Sequence, residues 1–270
     1  MEIQRYKDFA KVNAVLEERM INLGHTVHPQ KWQGFDVSSR PEAEMVELTD
    51  VSFKVPLRTR DLRVFQGDLS PNLPWADDHF EERVGGQPTN PGVTWTQWPW
   101  SNSADKSRMF GINGEKFSHS YMERYWPKHC PDKSDTLMEG LRFDYGDLND
   151  VVALLAREPS TRQAYLPVFF PEDTGVTHGN RVPCTLGYHF YQRFGYLHVY
   201  YPIRSCDLHR HFRDDMYLTT RLLLWVLSEL EKVESSWKEV KPGYLSTWIG
   251  SLHMFVNDYR LLLSREGCEP

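Results

Sequence analysis

Between Arg181 and Asp215, two aromatic and β-branched runs, Tyr188–Tyr191 and Tyr196–Tyr201, flank the dipeptide Phe194-Gly195. Such residues fit a pleated, half-buried surface, and a glycine between two runs of this kind marks the reversal of a β-hairpin. Cys184, preceded by Pro183, then falls at the mouth of the hairpin, and Arg204 arrives on the return strand. That placement bears on chemistry, because a free thiol with a pKa near ~8.5 is mostly protonated at neutral pH and becomes a nucleophile only beside a cation. A buried core cysteine is the competing reading, since free cysteine is among the most buried residue types.

The run that follows, Met216–Lys232, is apolar over so wide an arc that it reads as a central buried helix, which needs sheet around it. Met45–Leu57 has the β-branched content of a strand expected to pack against the hairpin, and Trp248–Phe255 reads as a late strand carrying His253 near its end. Helical spacing predicts an opening helix over Tyr6–Leu23 stopped by Gly24, a short helix over Ala76–Arg83, and a helix over Asp147–Arg157 with Asp147 as its cap. The polar stretch from His25 to Ser39 reads as a mobile loop, and the one from Ser101 to Ser120 as a surface loop. With 270 residues, 40% of them hydrophobic, the chain fits one domain spanning 1–270. The expected class is α/β (α+β): a large mixed β-sheet around a central buried helix.

A formal net charge of -6 argues against sequence-independent nucleic-acid binding, while leaving room for a local basic pocket that holds one phosphate. A mononucleotide therefore fits better than a polymer. Cys130, Cys184, Cys206 and Cys268 show no CxxC spacing, and neither a secretory segment nor a long apolar run is present, so reduced thiols in a cytoplasm and no membrane partner are expected. Read as part of a strand, His209 and His211 are not expected to form a metal site.

Taken in order, these residues resemble the catalytic core of the thymidylate synthase family. The family pattern of Pro-Cys before a hairpin, Arg-Ser-x-Asp, a residue that reads the pyrimidine edge, and a distant His-x-Tyr reads here as Pro183-Cys184, Arg204-Ser205-Cys206-Asp207, Asp215, and His253-Met254-Phe255. Upstream, the segment from Arg157 to Gly175 resembles the family's Asn-Pro-x-Ser-Arg-Arg strand, with Arg162 matching the first arginine and Gln163 replacing the second. The resemblance implies the thymidylate synthase-like fold and a homodimer in which Arg162 reaches into the neighbouring subunit's site. It implies Cys184 as the nucleophile, with Glu82, from the acidic pair Glu81-Glu82, and Tyr121 as further catalytic groups. Arg204, Ser205, Lys31 and His253 would bind a pyrimidine deoxynucleoside monophosphate. Asp207, Trp95 and Trp98 would hold a folate, 5,10-methylenetetrahydrofolate, with the two tryptophan faces suiting a flat pterin.

Three departures from thymidylate synthases resemble viral deoxycytidylate hydroxymethylases instead: Thr185 after the cysteine, Phe212-Arg213-Asp214-Asp215, and Gly250-Ser251-Leu252-His253. They imply a cytosine base and addition of water to the transferred carbon, giving 5-hydroxymethyl-deoxycytidylate and tetrahydrofolate. Methylation of deoxyuridylate is the alternative, and a nucleotide-binding homologue without turnover is a third. Phe255 stands where the family carries Tyr, so the sugar contact made by that hydroxyl has no counterpart.

Overall fold

The structure is a computed structural model that describes residues 3–32, 35–99, 117, 119–129, 146–174 and 182–268. Its strands and helices are, in chain order, β1 (Gln4–Arg5), α1 (Phe9–Leu23), β2 (His25–Val27), β3 (Lys31–Trp32), β4 (Phe35–Asp36), β5 (Met45–Pro56), α2 (Leu62–Leu69), α3 (Trp75–Val84), α4 (Tyr121–Tyr125), α5 (Leu148–Arg157), β6 (Tyr165–Pro167), β7 (Gly187–Arg193), β8 (Tyr196–Asp207), α6 (Phe212–Val233), β9 (Lys241–Phe255) and α7 (Val256–Arg265).

Phe194 and Gly195 both hold positive φ, 54° and 77°. This is the two-residue turn whose twist matches the strands it joins, and β7 pairs antiparallel with β8 across it. β8 and β9 are parallel, so a two-residue turn cannot link them. The connection is α6, which packs on both strands. The sheet runs β1-β5-β9-β8-β7-β6, with β2 on the edge of β5. The expected contact between β5 and the hairpin is therefore not made directly. β9 lies between them, antiparallel to β5 with Phe53 opposite Thr247, and parallel to β8 with Val199 opposite Leu245. One hydrophobic cluster extends from Tyr6 on the N-terminal side to Leu262 in α7, and its centre is the buried stripe Met216, Leu223, Val226, Leu227 and Leu230 of α6. The result is a mixed α+β architecture with a large mixed sheet and a buried helix against it.

Several expected boundaries shift. α6 begins at Phe212 rather than Met216, and places Asp214 and Asp215 in its first turn, where the helix dipole favours carboxylates and the apolar pattern is silent. The turn before it is built by Asp207, whose Oδ1 accepts the backbone N–H groups of His209 and Arg210, both at 2.9 Å. His209 and His211 thus occupy a turn, not a strand. The stretch expected to be a mobile loop contains β2, paired on β5, and the β3–β4 hairpin. β9 starts at Lys241, earlier than Trp248, because neighbours on both sides supply partners along its length. Residues 101–116 and 118 of the expected surface loop lie outside the described residues. Among the described residues no helix is long and apolar enough to cross a membrane.

Candidate active site

At the ends of β8 and β9, where α6 begins, a cleft of about 520 Å³ opens between the sheet, α3 and the segments around Trp95 and Tyr121. Lys31, Glu82, Trp95, Trp98, Tyr121, Cys184, Arg204, Ser205, Asp207, Asp215 and His253 all line it. Arg162 does not; it is exposed in the turn after α5, where its carbonyl meets His189 Nε2 at 3.1 Å.

Cys184 is pinned by backbone pairing at the hairpin mouth. Arg204 N–H donates to its carbonyl at 2.9 Å, Leu186 N–H donates to Pro202 O at 3.0 Å, and Thr185 bridges to Ile203. The Arg204 guanidinium folds back on the same segment. Its Nε donates to Pro183 O at 2.8 Å and its Nη2 to Val182 O at 2.9 Å, which leaves Nη2 3.9 Å from Cys184 Sγ. A thiol held against a guanidinium ionises more readily than a free one. Cys184 is half-buried, packed against the core on one side and lining the cleft on the other. Beside it, Tyr121 OH and Thr185 Oγ1 are 3.0 Å apart, and Thr185 Oγ1 and Tyr201 OH are 3.0 Å apart. Burial pushes the Tyr121 and Tyr201 phenols well up, so this chain of hydroxyls stays neutral.

The two acids at the start of α6 have separate environments. Asp214 accepts Asn72 N–H at 2.8 Å and Asn72 Nδ2–H at 2.6 Å, and so ties α6 to the loop before α3. Asp215 receives the Cys206 thiol at 3.7 Å. Burial pushes the Asp215 carboxyl up to about 7, with Arg83 opposing the rise and Asp214 adding to it. A carboxyl poised there can present an O–H donor and a carbonyl acceptor to one ligand edge.

Along the opposite wall, Trp95 and Trp98 lie 5.2 Å apart at 34°, and Trp98 stacks on His211 at 5.4 Å. Asp207 spends Oδ1 on its turn, while Oδ2 is buried without a hydrogen-bond partner; Arg210 Nε is 3.8 Å from it. Burial raises the Asp207 carboxyl to about 6 and lowers the His253 imidazole to about 4, and His253 Nδ1 also lacks a partner. An unsatisfied buried polar atom costs about 1–3 kcal/mol. Two of them lining one cleft fit a ligand bearing its own donors and acceptors. The Phe255 ring, 6.0 Å from the His253 ring and under Arg210 at 4.8 Å, offers no hydroxyl.

Glu82 is held from several sides. Val93 N–H donates to Oε1, Thr94 Oγ1–H donates to Oε2 at 2.6 Å, and Gly92 passes so close that a Cβ there would overlap Oε2 and Cδ. Glu81, its neighbour in the acidic pair, faces outward and pairs with Arg221 at 2.6 Å. The sequence reading missed three residues around Glu82: His79, Arg83 and Thr94. The spacing of His79, Glu82 and Arg83 on a helix was the available signal, since residues three and four apart share a face.

Among the described residues no group of three His, Cys, Asp or Glu side chains is placed to hold a metal ion. No protein-family model matches the chain, and no curated protein matches it significantly.

Proposed function

We propose that this chain is a folate-dependent one-carbon transferase of the thymidylate synthase type, and that it hydroxymethylates C5 of deoxycytidylate. The observation that carries the reading is the joint placement, in one cleft, of a thiol against a guanidinium and a buried carboxyl titrating near 7. The first suits addition to an electron-poor ring carbon, and the second suits the N3 acceptor and N4 donor of cytosine.

In this reading Cys184 Sγ bonds to C6 of the pyrimidine, and the displaced electron pair makes C5 nucleophilic. Arg204 and Ser205 hold the phosphate, with Lys31 at the rim, while Asp215 holds the base edge. When bound, 5,10-methylenetetrahydrofolate would supply the one-carbon unit, which bonds to C5 as the C5 proton is lost and the carbon–nitrogen bond to the folate breaks, leaving tetrahydrofolate and an exocyclic methylene. Asp207, with its open carboxylate oxygen, and the Trp95–Trp98 wall orient the pterin, and His253 meets the nucleotide. Glu82 then takes a proton from the water whose oxygen bonds to the exocyclic carbon, and re-forming the C5–C6 double bond expels the Cys184 thiolate. Deoxycytidylate, methylenetetrahydrofolate and water balance hydroxymethyl-deoxycytidylate and tetrahydrofolate.

Incubating the protein with methylenetetrahydrofolate and each pyrimidine nucleotide tests this directly. Deoxycytidylate should be consumed with tetrahydrofolate as the folate product and no rise in dihydrofolate absorbance. Stoichiometric dihydrofolate with deoxyuridylate would replace the reading by methylation, and absence of turnover on every nucleotide would remove it.

A homodimer belongs to the same reading. The sheet face away from α6 carries an aromatic ladder in which half-buried Tyr191 and Tyr244 flank buried His198, at 5.0 Å and 5.8 Å, and Arg5 lies 5.1 Å over Tyr244. Such a face suits burial against a second copy. If Arg162 serves the neighbour's phosphate site, mixing Arg162→Ala with Cys184→Ser protein should restore about a quarter of wild-type activity, because a hybrid dimer then owns one intact site. No rescue, with subunit exchange confirmed, would exclude the shared site.

A further inference from the structure

The carboxylate of Glu82 ends a chain of hydrogen bonds whose direction can be worked out. Arg83 Nε lies 2.9 Å from His79 Nε2. A guanidinium can only donate, so Nε2 must be the acceptor, and a neutral His79 then carries its proton on Nδ1. Nδ1 lies 3.0 Å from Thr94 Oγ1 and 3.5 Å from Glu82 Oε2. Thr94 Oγ1 therefore receives a proton from His79 and directs its own to Glu82 Oε2 at 2.6 Å.

All four residues are fixed by packing. Arg83 is buried, with its guanidinium 4.0 Å over the Tyr121 ring and its carbonyl accepting Trp126 Nε1–H at 2.8 Å. His79 stacks on Trp75 at 5.0 Å and 16°, and Trp75 Nε1–H donates to Thr94 O at 3.2 Å. Nothing in the fold's stability calls for a one-way chain ending on a cleft carboxylate. A carboxylate that must accept a proton from water needs one, because a histidine free to turn its tautomer or to protonate could present its lone pair to the same oxygen or change its charge.

We propose that Arg83, His79 and Thr94 are positioning residues that hold Glu82 ionised and aimed as a proton acceptor, through the one-way chain Arg83 to His79 to Thr94 to Glu82. The inference rests on the reading of Glu82 as the group that activates water. Charge agrees with the geometry. Burial lowers His79 to about 4, helped by Arg83, which keeps the imidazole neutral. Burial works to raise Glu82, and the bonds from His79, Thr94 and Val93 outweigh it, leaving the carboxyl below its ordinary value. Arg83 also faces Asp215 and the phenols of Tyr121, Tyr125 and Tyr188, so one buried cation serves both ends of the cleft.

Thr94→Val removes one hydroxyl and keeps the shape. It should lower kcat about 10- to 100-fold, the scale usual for groups that orient an active-site ligand, with KM for the nucleotide nearly unchanged. Thr94→Ser should recover most of the loss. A second readout needs no turnover: ¹⁵N spectra of the wild-type protein should show His79 as the Nδ1–H tautomer, neutral down to about pH 5. Full kcat in Thr94→Val, with turnover confirmed in the wild type, would overturn the positioning role while leaving the proposed reaction standing. His79 found as the Nε2–H tautomer, or protonating near its ordinary value, would break the chain itself. Lack of wild-type turnover beside the expected His79 spectrum would overturn both the reaction and the role assigned to the chain, leaving only its hydrogen-bond geometry.

Discussion

Cys184→Ser should bind deoxycytidylate normally and lose turnover by on the order of 10^4-fold or more, the scale seen when an activated nucleophile is deleted. The expectation follows from where the sulfur sits. Its backbone is locked by Arg204 and its Sγ lies 3.9 Å from Arg204 Nη2, so the guanidinium sits against a sulfur, whereas a serine hydroxyl is far less acidic and a much poorer nucleophile toward C6. Because the residue is half-buried and one atom changes, the fold should survive. Titration calorimetry with the nucleotide and a turnover assay separate the two effects. Near-normal turnover would rule out the covalent mechanism, and loss of folding would return Cys184 to the core.

Asp215→Asn should exchange base preference. Uracil presents an N3–H donor and an O4 acceptor, which an amide matches, whereas cytosine presents an N3 acceptor and an N4 donor, which a protonated carboxyl matches. A mispaired buried group costs about 1–3 kcal/mol, so kcat/KM should fall about 5- to 150-fold on deoxycytidylate and rise comparably on deoxyuridylate. Asp215 also predicts a pH limb. The complex with cytosine holds one proton between the carboxyl and N3, and the free carboxyl, raised to about 7 by burial, loses it as pH rises. kcat/KM on deoxycytidylate should therefore decline about tenfold per unit above pH 7, and the limb should vanish in the Asn variant. A kcat/KM ratio within about twofold of wild type would sink the assignment. A helix-capping role, which Asn would fill equally well, predicts that outcome. The geometry speaks against capping, because α6 starts at Phe212 with His211 in the cap position, and Asp215 is the fourth residue of the helix rather than the one before it.

Much of the site was legible because its residues cluster in two kinds of local signal. Phe194-Gly195 between aromatic runs specifies a hairpin through φ preferences that belong to the turn itself, and Arg204-Ser205-Cys206-Asp207 then follows at the end of the return strand. The apolar arc of α6 was visible for the same reason, since helical period is written in neighbouring residues. Other features depended on partners distant in the chain. β2 and the β3–β4 hairpin lie in a polar stretch with no strand signature, and β2 is a strand because the edge of β5 is there to pair with it.

By itself the sequence determined the β7–β8 hairpin and the α6 stripe, and it singled out the residues proposed as nucleophile, phosphate ligand and base reader. Only the tertiary structure decided that β9 inserts between β5 and β8, that Asp214 is taken up by Asn72 while Asp215 faces the cleft, and that buried Arg83 meets half-buried His79 beside Glu82. Turn chemistry and helical period act over a few residues and can be read along the chain. Burial, which sets the charge state of Asp215 and His79, and the choice among competing donors, which aims Glu82, depend on packing between segments more than a hundred residues apart for Asp214 and Asn72, and on a whole cleft wall for the rest.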